Sequence, residues 1–221
     1  MQGSASKLSP SAGRDRWKRL QPSILCRTKH RRDPTVCVSS YWYHCLVHQK
    51  LIELGAVTLM VPGNLPIGCS SSYLTLFKGS NKEEYDPETG CLTWLNKFAE
   101  YHNELLRNEL NVIQQLNPHA TIIYADYYNA AMQLYRSPNK FGFTRGALSA
   151  CCGGGGSYNY NPSVLCGIPP STVSGEPSLY VNWDGLHLTE AAYRWIFRGL
   201  FEGPYTIPQI NTLCGSRALS A

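Results

Sequence analysis

The sequence has no uninterrupted apolar run of about 18 residues, so no membrane-spanning helix is expected. Its first ten residues, M-Q-G-S-A-S-K-L-S-P, lack the apolar stretch of a secretory signal. The four glycines Gly153 to Gly156 are followed by no Gly-Lys-Ser/Thr and preceded by no strand pattern, which argues against a phosphate-binding loop. Cys37, His44, Cys45 and His48 lie close in sequence, but their spacing fits none of the usual Cys/His zinc pairings, and no metal is expected there. No nucleic-acid-binding motif accompanies the basic residues, so no nucleic-acid partner is expected either.

What is present describes a globular chain. Hydrophobic residues make up 43% of 221, enough for one substantial core. The net charge of +5 hides an asymmetry: residues 1 to 50 carry ten Lys or Arg against two acids, and the remainder carries ten against thirteen. A basic, Ser- and Pro-rich arm (residues 1–50) is thus joined to a mildly acidic body (residues 51–215). Nine cysteines are many for a cytosolic enzyme. Six lie in the body (Cys69, Cys91, Cys151, Cys152, Cys166 and Cys214), an even set that suits an oxidising compartment and a few disulfides. Cys69 with Cys91 would close a polar, turn-rich loop. Cys166 has either Cys151 or Cys152 within reach, and Cys214 offers a tie for the tail.

Taken in order, Leu51 to Leu54 reads as a helix end capped by Gly55. Ala56 to Val61 is a short apolar run of the buried parallel-strand type, closed by Pro62, Gly63 and Asn64. Ser70 to Gly90 is polar. A long helix follows, with Leu92, Leu95, Phe98, His102, Leu105, Leu106, Leu110, Ile113 and Leu116 on one apolar stripe, until Asn117-Pro118 stops it. His102 is read as a core or boundary histidine. Thr121 to Ala125 is a second parallel strand. Asp126 at its end either faces a ligand crevice or caps the helix Asn129–Tyr135. Ser137 to Glu176 is a long irregular excursion whose glycines let backbone pass close to a disulfide-tied turn. The last helix spans Glu190–Phe201, with Thr189 as its N-cap and Trp195, Ile196 and Leu200 inward.

The segment Tyr180 to Trp195, Y-V-N-W-D-G-L-H-L-T-E-A-A-Y-R-W, sets Asp184 three residues before His187 across a turn that Gly185 permits. Such a turn can bring a carboxylate under an imidazole. The carboxylate fixes the tautomer, and the other ring nitrogen can take a proton from a nucleophile. The segment resembles the last block of the plant GDSL esterase/lipase family, part of the SGNH hydrolases. The resemblance continues, in order, through L-I-E-L-G-A-V-T-L-M-V-P-G-N-L-P-I-G-C (Leu51 to Cys69), Y-A-D-Y-Y-N-A-A (Tyr124 to Ala131) and A-C-C-G-G-G-G-S-Y-N-Y-N (Ala150 to Asn161).

That resemblance implies an α/β fold, the three-layer α/β/α, flavodoxin-like arrangement of SGNH hydrolases, incomplete on its N-terminal side. It implies hydrolysis of small acyl esters, a secreted setting, and no metal or organic cofactor. It assigns His187 and Asp184 to the catalytic triad and leaves the nucleophile unknown, because no G-D-S occurs anywhere in the chain. The family's order of blocks also makes Asn64 a turn residue rather than the oxyanion-hole asparagine. Ser70 or Ser71 could replace the nucleophile only by a close approach to His187. Three readings follow: an impaired ester hydrolase, a catalytically inactive ligand-binding relative, or an adaptor whose basic arm binds nucleic acid. With the leading strands absent, one edge or face of the sheet should be exposed unless residues 36 to 48 cover it.

Overall fold

The structure, a computed structural model, describes residues 47–79 and 81–214. Helix α1 spans residues 47–53, and Gly55 beyond it adopts a left-handed conformation (φ 100°), the role expected of it. Strand β1 is Thr58–Pro62. It begins later than the apolar run because the Ala56 N–H still closes the helix end by donating to the Leu51 carbonyl. A 3-10 turn (Ile67–Cys69) and the short helix α2 (Ser71–Leu76) precede the long helix α3 (Thr93–Leu116). Strand β2 (Thr121–Ala125) leads directly into helix α4 (Tyr127–Arg136). The long excursion holds a 3-10 turn (Pro138–Phe141) and a two-residue antiparallel ladder of β3 (Cys152–Gly153) with β4 (Thr172–Val173). Helix α5 (Glu190–Phe201), strand β5 (Thr206–Ile207) and helix α6 (Ile210–Cys214) complete the described chain.

The main sheet has the order β1-β2-β5. β1 and β2 are parallel, from Thr58 opposite Thr121 to Pro62 opposite Ala125, as the two apolar runs predict. β5 adds an antiparallel edge against Tyr124 and Ala125. Its two residues are too few to leave a periodic signal in sequence. α2 leaves no periodic signal either, since its buried positions are Ser71, Ser72 and Leu74 rather than an apolar stripe.

One face of the sheet, formed by Leu59, Val61, Ile122 and Tyr124, packs on Leu106, Leu110 and Ile113 of α3 and on Ile52 of α1. At the end of β2, Ala125 belongs to the larger core, with Leu134 of α4, Ile196 and Leu200 of α5, and Phe143. The outward row of β1 (Thr58, Met60 and Pro62) is exposed, Met60 at 38%. Residues 36–46, which were expected as a possible cover, lie outside the described residues.

The apolar stripe read along α3 holds at Leu92, Leu95, Leu106, Leu110 and Ile113, all buried, and needs correction elsewhere. Phe98 and Leu116 are exposed, whereas Asn96, Ala99, Asn103 and Glu109 are buried. Two of the buried polar residues, Asn96 and Asn103, tie down the chain that leaves β1. Asn96 Oδ1 accepts from the Gly68 N–H (2.8 Å). Asn103 accepts from the Asn64 N–H (2.6 Å) and donates to the Asn64 carbonyl (3.0 Å). Buried backbone groups in an irregular loop need such partners, so the two asparagines share the buried side of α3 with its leucines.

Disulfides join Cys69 to Cys91 and Cys152 to Cys166, and Cys151 is a buried free thiol. The tie suggested for Cys214 concerns a side chain outside the described set. Among the described residues no helix is long and apolar enough to cross a membrane.

Candidate active site

Residues 180–189 leave the excursion and run into α5. The Thr189 hydroxyl caps that helix by accepting from the Ala192 N–H (3.2 Å), and it donates to the Tyr180 carbonyl (2.7 Å). Inside this frame the chain folds back on itself. The Trp183 N–H donates to the His187 carbonyl (2.8 Å), and Asn182 bridges Leu188 in antiparallel fashion. Gly185 sits at the apex with φ 100°, in a region that L side chains rarely adopt.

The turn places Asp184 against His187. Oδ2 of Asp184 lies 2.8 Å from Nδ1 of the imidazole. Oδ1 accepts from the N–H groups of His187 (2.8 Å) and Leu186 (3.0 Å). The carboxylate is mostly covered (25% exposed), whereas the imidazole is open (65%). With Asp184 ionised, Nδ1 carries the proton and Nε2 is left with a lone pair. That arrangement can accept a proton from a hydroxyl and hold the resulting imidazolium.

Burial alone would raise the Asp184 carboxyl. The hydrogen bonds from the His187 ring and from the two backbone N–H groups outweigh burial and hold it below its ordinary range. A carboxyl depressed in the folded state contributes stability above the unfolded value, about 3.9, and loses it as pH falls through the lower folded value. Denaturant unfolding at pH 7 and pH 3 should therefore show a smaller loss on acidification for Asp184→Asn than for the parent chain. Asp86, also lowered, chiefly by the Thr89 N–H, titrates equally in both chains and cancels. An equal loss would deny Asp184 its share of the acid sensitivity.

The serines named from sequence are engaged elsewhere. Ser70 Oγ donates to the Gly185 carbonyl and lies 2.9 Å from Ser72 Oγ. Ser71 Oγ donates to the Leu148 carbonyl (2.6 Å). All three are buried, and neither Ser70 nor Ser71 is hydrogen-bonded to His187. Asp126 caps α4, accepting from the Asn129 N–H (3.1 Å). Asn64 lies in the turn after β1, held by Asn103. Gly153 passes so close to the Asn159 carbonyl that a Cβ would overlap it, as expected of a glycine beside a disulfide-tied turn.

Sequence reasoning missed the supports. The Ser72 N–H joins Ser70 on the Gly185 carbonyl (3.0 Å). Asn182, 1% exposed, donates to the carbonyls of Cys69 and Ala147 and accepts from the Tyr135 hydroxyl. The only sequence signal for Asn182 is its place two residues before Asp184.

The order of these elements and the Asp-x-x-His turn agree with a match of residues 46–200 to the family described as GDSL-like lipase/acylhydrolase. The chain belongs to that family. A GDSL esterase/lipase of Arabidopsis thaliana is 57% identical over 172 residues, covering 77% of this chain and 45% of that protein. A second from the same plant is 58% identical over 165 residues, covering 75% and 41%. Sinapine esterase of Brassica napus is 48% identical over 164 residues, covering 74% and 42%. The GDSL-family chain thus spans less than half the length of these relatives. Asp184 and His187 fall within its matched span.

Proposed function

We propose that this chain carries the proton-transfer half of a carboxylic ester hydrolase, with His187 as general base and Asp184 as the carboxylate that orients it. The observation that carries the reading is the 2.8 Å contact between Asp184 Oδ2 and His187 Nδ1, made beneath an open imidazole. Family membership supports small acyl esters as the substrate class. The two disulfides support an oxidising, extracellular setting. The hydrolase domain would occupy residues 51–215, with the basic residues 1–50 as an arm outside it.

Catalysis also needs a nucleophile and oxyanion donors, and loss of one such donor costs roughly 3 kcal/mol of transition-state stabilisation. The chain contains no G-D-S, and the hydroxyls of Ser70, Ser71 and Ser72 are all hydrogen-bonded away from His187. We therefore infer that these 221 residues alone are catalytically impaired. The same observation favours, as the second reading, a ligand-binding protein of this fold. The purified chain and its His187→Ala variant should hydrolyse short-chain p-nitrophenyl esters at the same rate, and a fluorophosphonate probe should label neither. Turnover and labelling that depend on His187 would overturn the impairment and reveal a serine within this chain.

A further inference from the structure

We infer that Tyr160 is a positioning residue for the Asp184–His187 pair and that the Cys152–Cys166 bridge keeps it in place; this rests on reading that pair as the proton-transfer group. The Tyr160 ring lies against Gly185. A Cβ added there would stand 2.5 Å from Cδ2, 3.0 Å from Cε2 and 3.2 Å from Cγ. Gly185 separates Asp184 from the N–H groups of Leu186 and His187 that its carboxylate accepts. Its peptide is held by two elements distant in sequence. Ser70 and Ser72 hold the carbonyl, and the Tyr160 ring closes over the Cα. Without the ring only the bonds to its carbonyl hold Gly185, whose missing Cβ leaves φ and ψ room to vary, and the imidazole would shift with it.

Tyr160 lies inside the 152–166 loop that the disulfide closes. The loop is anchored to the segment leading into the Asp184–His187 turn: the Cys151 N–H donates to the Asn182 carbonyl (2.9 Å) and the Cys152 N–H to the Trp183 carbonyl (2.7 Å). Within it, Asn159 accepts from the Gly155 N–H (3.0 Å) and donates to the Ala150 carbonyl (2.9 Å). These bonds fix the residue before Tyr160, and the bridge holds the far side of the loop.

The test uses the ring ¹⁵N shifts of His187, which report which nitrogen is protonated. Wild type should show the Nδ1–H form that Asp184 selects. Tyr160→Ala should lose that preference, as should the double variant Cys152→Ser/Cys166→Ser, while Tyr160→Phe keeps it. The amide spectrum and the melting transition report that each variant is folded. If Tyr160→Ala does not fold, Tyr160→Leu is read with the same expectation. Retention of the Nδ1–H form without the Tyr160 ring would overturn the inference and leave the Asp184–His187 pair standing. Retention in the double cysteine variant would overturn the part given to the bridge. Absence of the form in wild type would sink the pair itself and the inference with it.

Discussion

Replacing both Cys69 and Cys91 by alanine should lower the unfolding free energy by about 4 kcal/mol. The bridge spans 22 residues, and on chain entropy alone a loop of that length is worth roughly 3 kcal/mol to the folded state. Its two sulfurs are fully buried in the main core, so their removal also leaves a void worth about 1 kcal/mol or more. The location adds to the effect. Cys69 ends the 3-10 turn after β1, Cys91 lies two residues before α3, and the intervening loop carries α2 with its fully buried Leu74. The corresponding change at Cys152 and Cys166 frees a shorter loop, of 14 residues, and Cys166 is only half-buried, so its cost should be smaller. Urea unfolding of the three chains at one pH provides the comparison. An equal cost for the two bridges would mean that core packing adds nothing to the first.

How much of this could be read from sequence depended on how local each feature is. The parallel strands, α5 and the glycine cap of α1 show as runs or periods within a dozen residues, and the sequence reading placed them within a residue or two. The Asp184–His187 contact is equally local, since both groups sit on one turn that Gly185 permits. The neighbours of that turn are not local. Ser70 and Gly185 are 115 positions apart, and Cys69 and Asn182 are 113 apart. Nothing in the pattern of either segment announces the other. The polar part of the buried side of α3 is hidden from sequence for a related reason. A hydrophobic stripe predicts which side chains prefer burial, but Asn96 and Asn103 are buried because loop N–H and carbonyl groups elsewhere require partners. β5 was invisible because it is two residues long and is completed by β2.

Asn182→Leu should cost about 3–5 kcal/mol, chiefly through lost hydrogen bonds, with the bulkier leucine adding strain at a fully buried position. The amide makes three buried hydrogen bonds. Nδ2 donates to the carbonyls of Cys69 (3.2 Å) and Ala147 (3.0 Å), and Oδ1 accepts from the Tyr135 hydroxyl (3.0 Å). Leucine fills the space but leaves two carbonyls and a hydroxyl without partners, at roughly 1–3 kcal/mol for each buried polar group so abandoned. Tyr135→Phe removes only the third bond and leaves one buried acceptor, Asn182 Oδ1, without its donor, so it should cost about 1–3 kcal/mol, less than Asn182→Leu. The amide also joins the start of the Asp184–His187 turn to the end of the 3-10 turn at Cys69, which is the anchor for Ser70 and Ser72. Asn182→Leu should therefore weaken the selection of the Nδ1–H form of His187 as well as stability, whereas Tyr135→Phe should leave that form intact. Equilibrium unfolding gives the energies, and the ring ¹⁵N shifts of His187 give the geometry. If Asn182→Leu costs no more than Tyr135→Phe, the carbonyls of Cys69 and Ala147 find other partners and Asn182 is not the tie between the two segments.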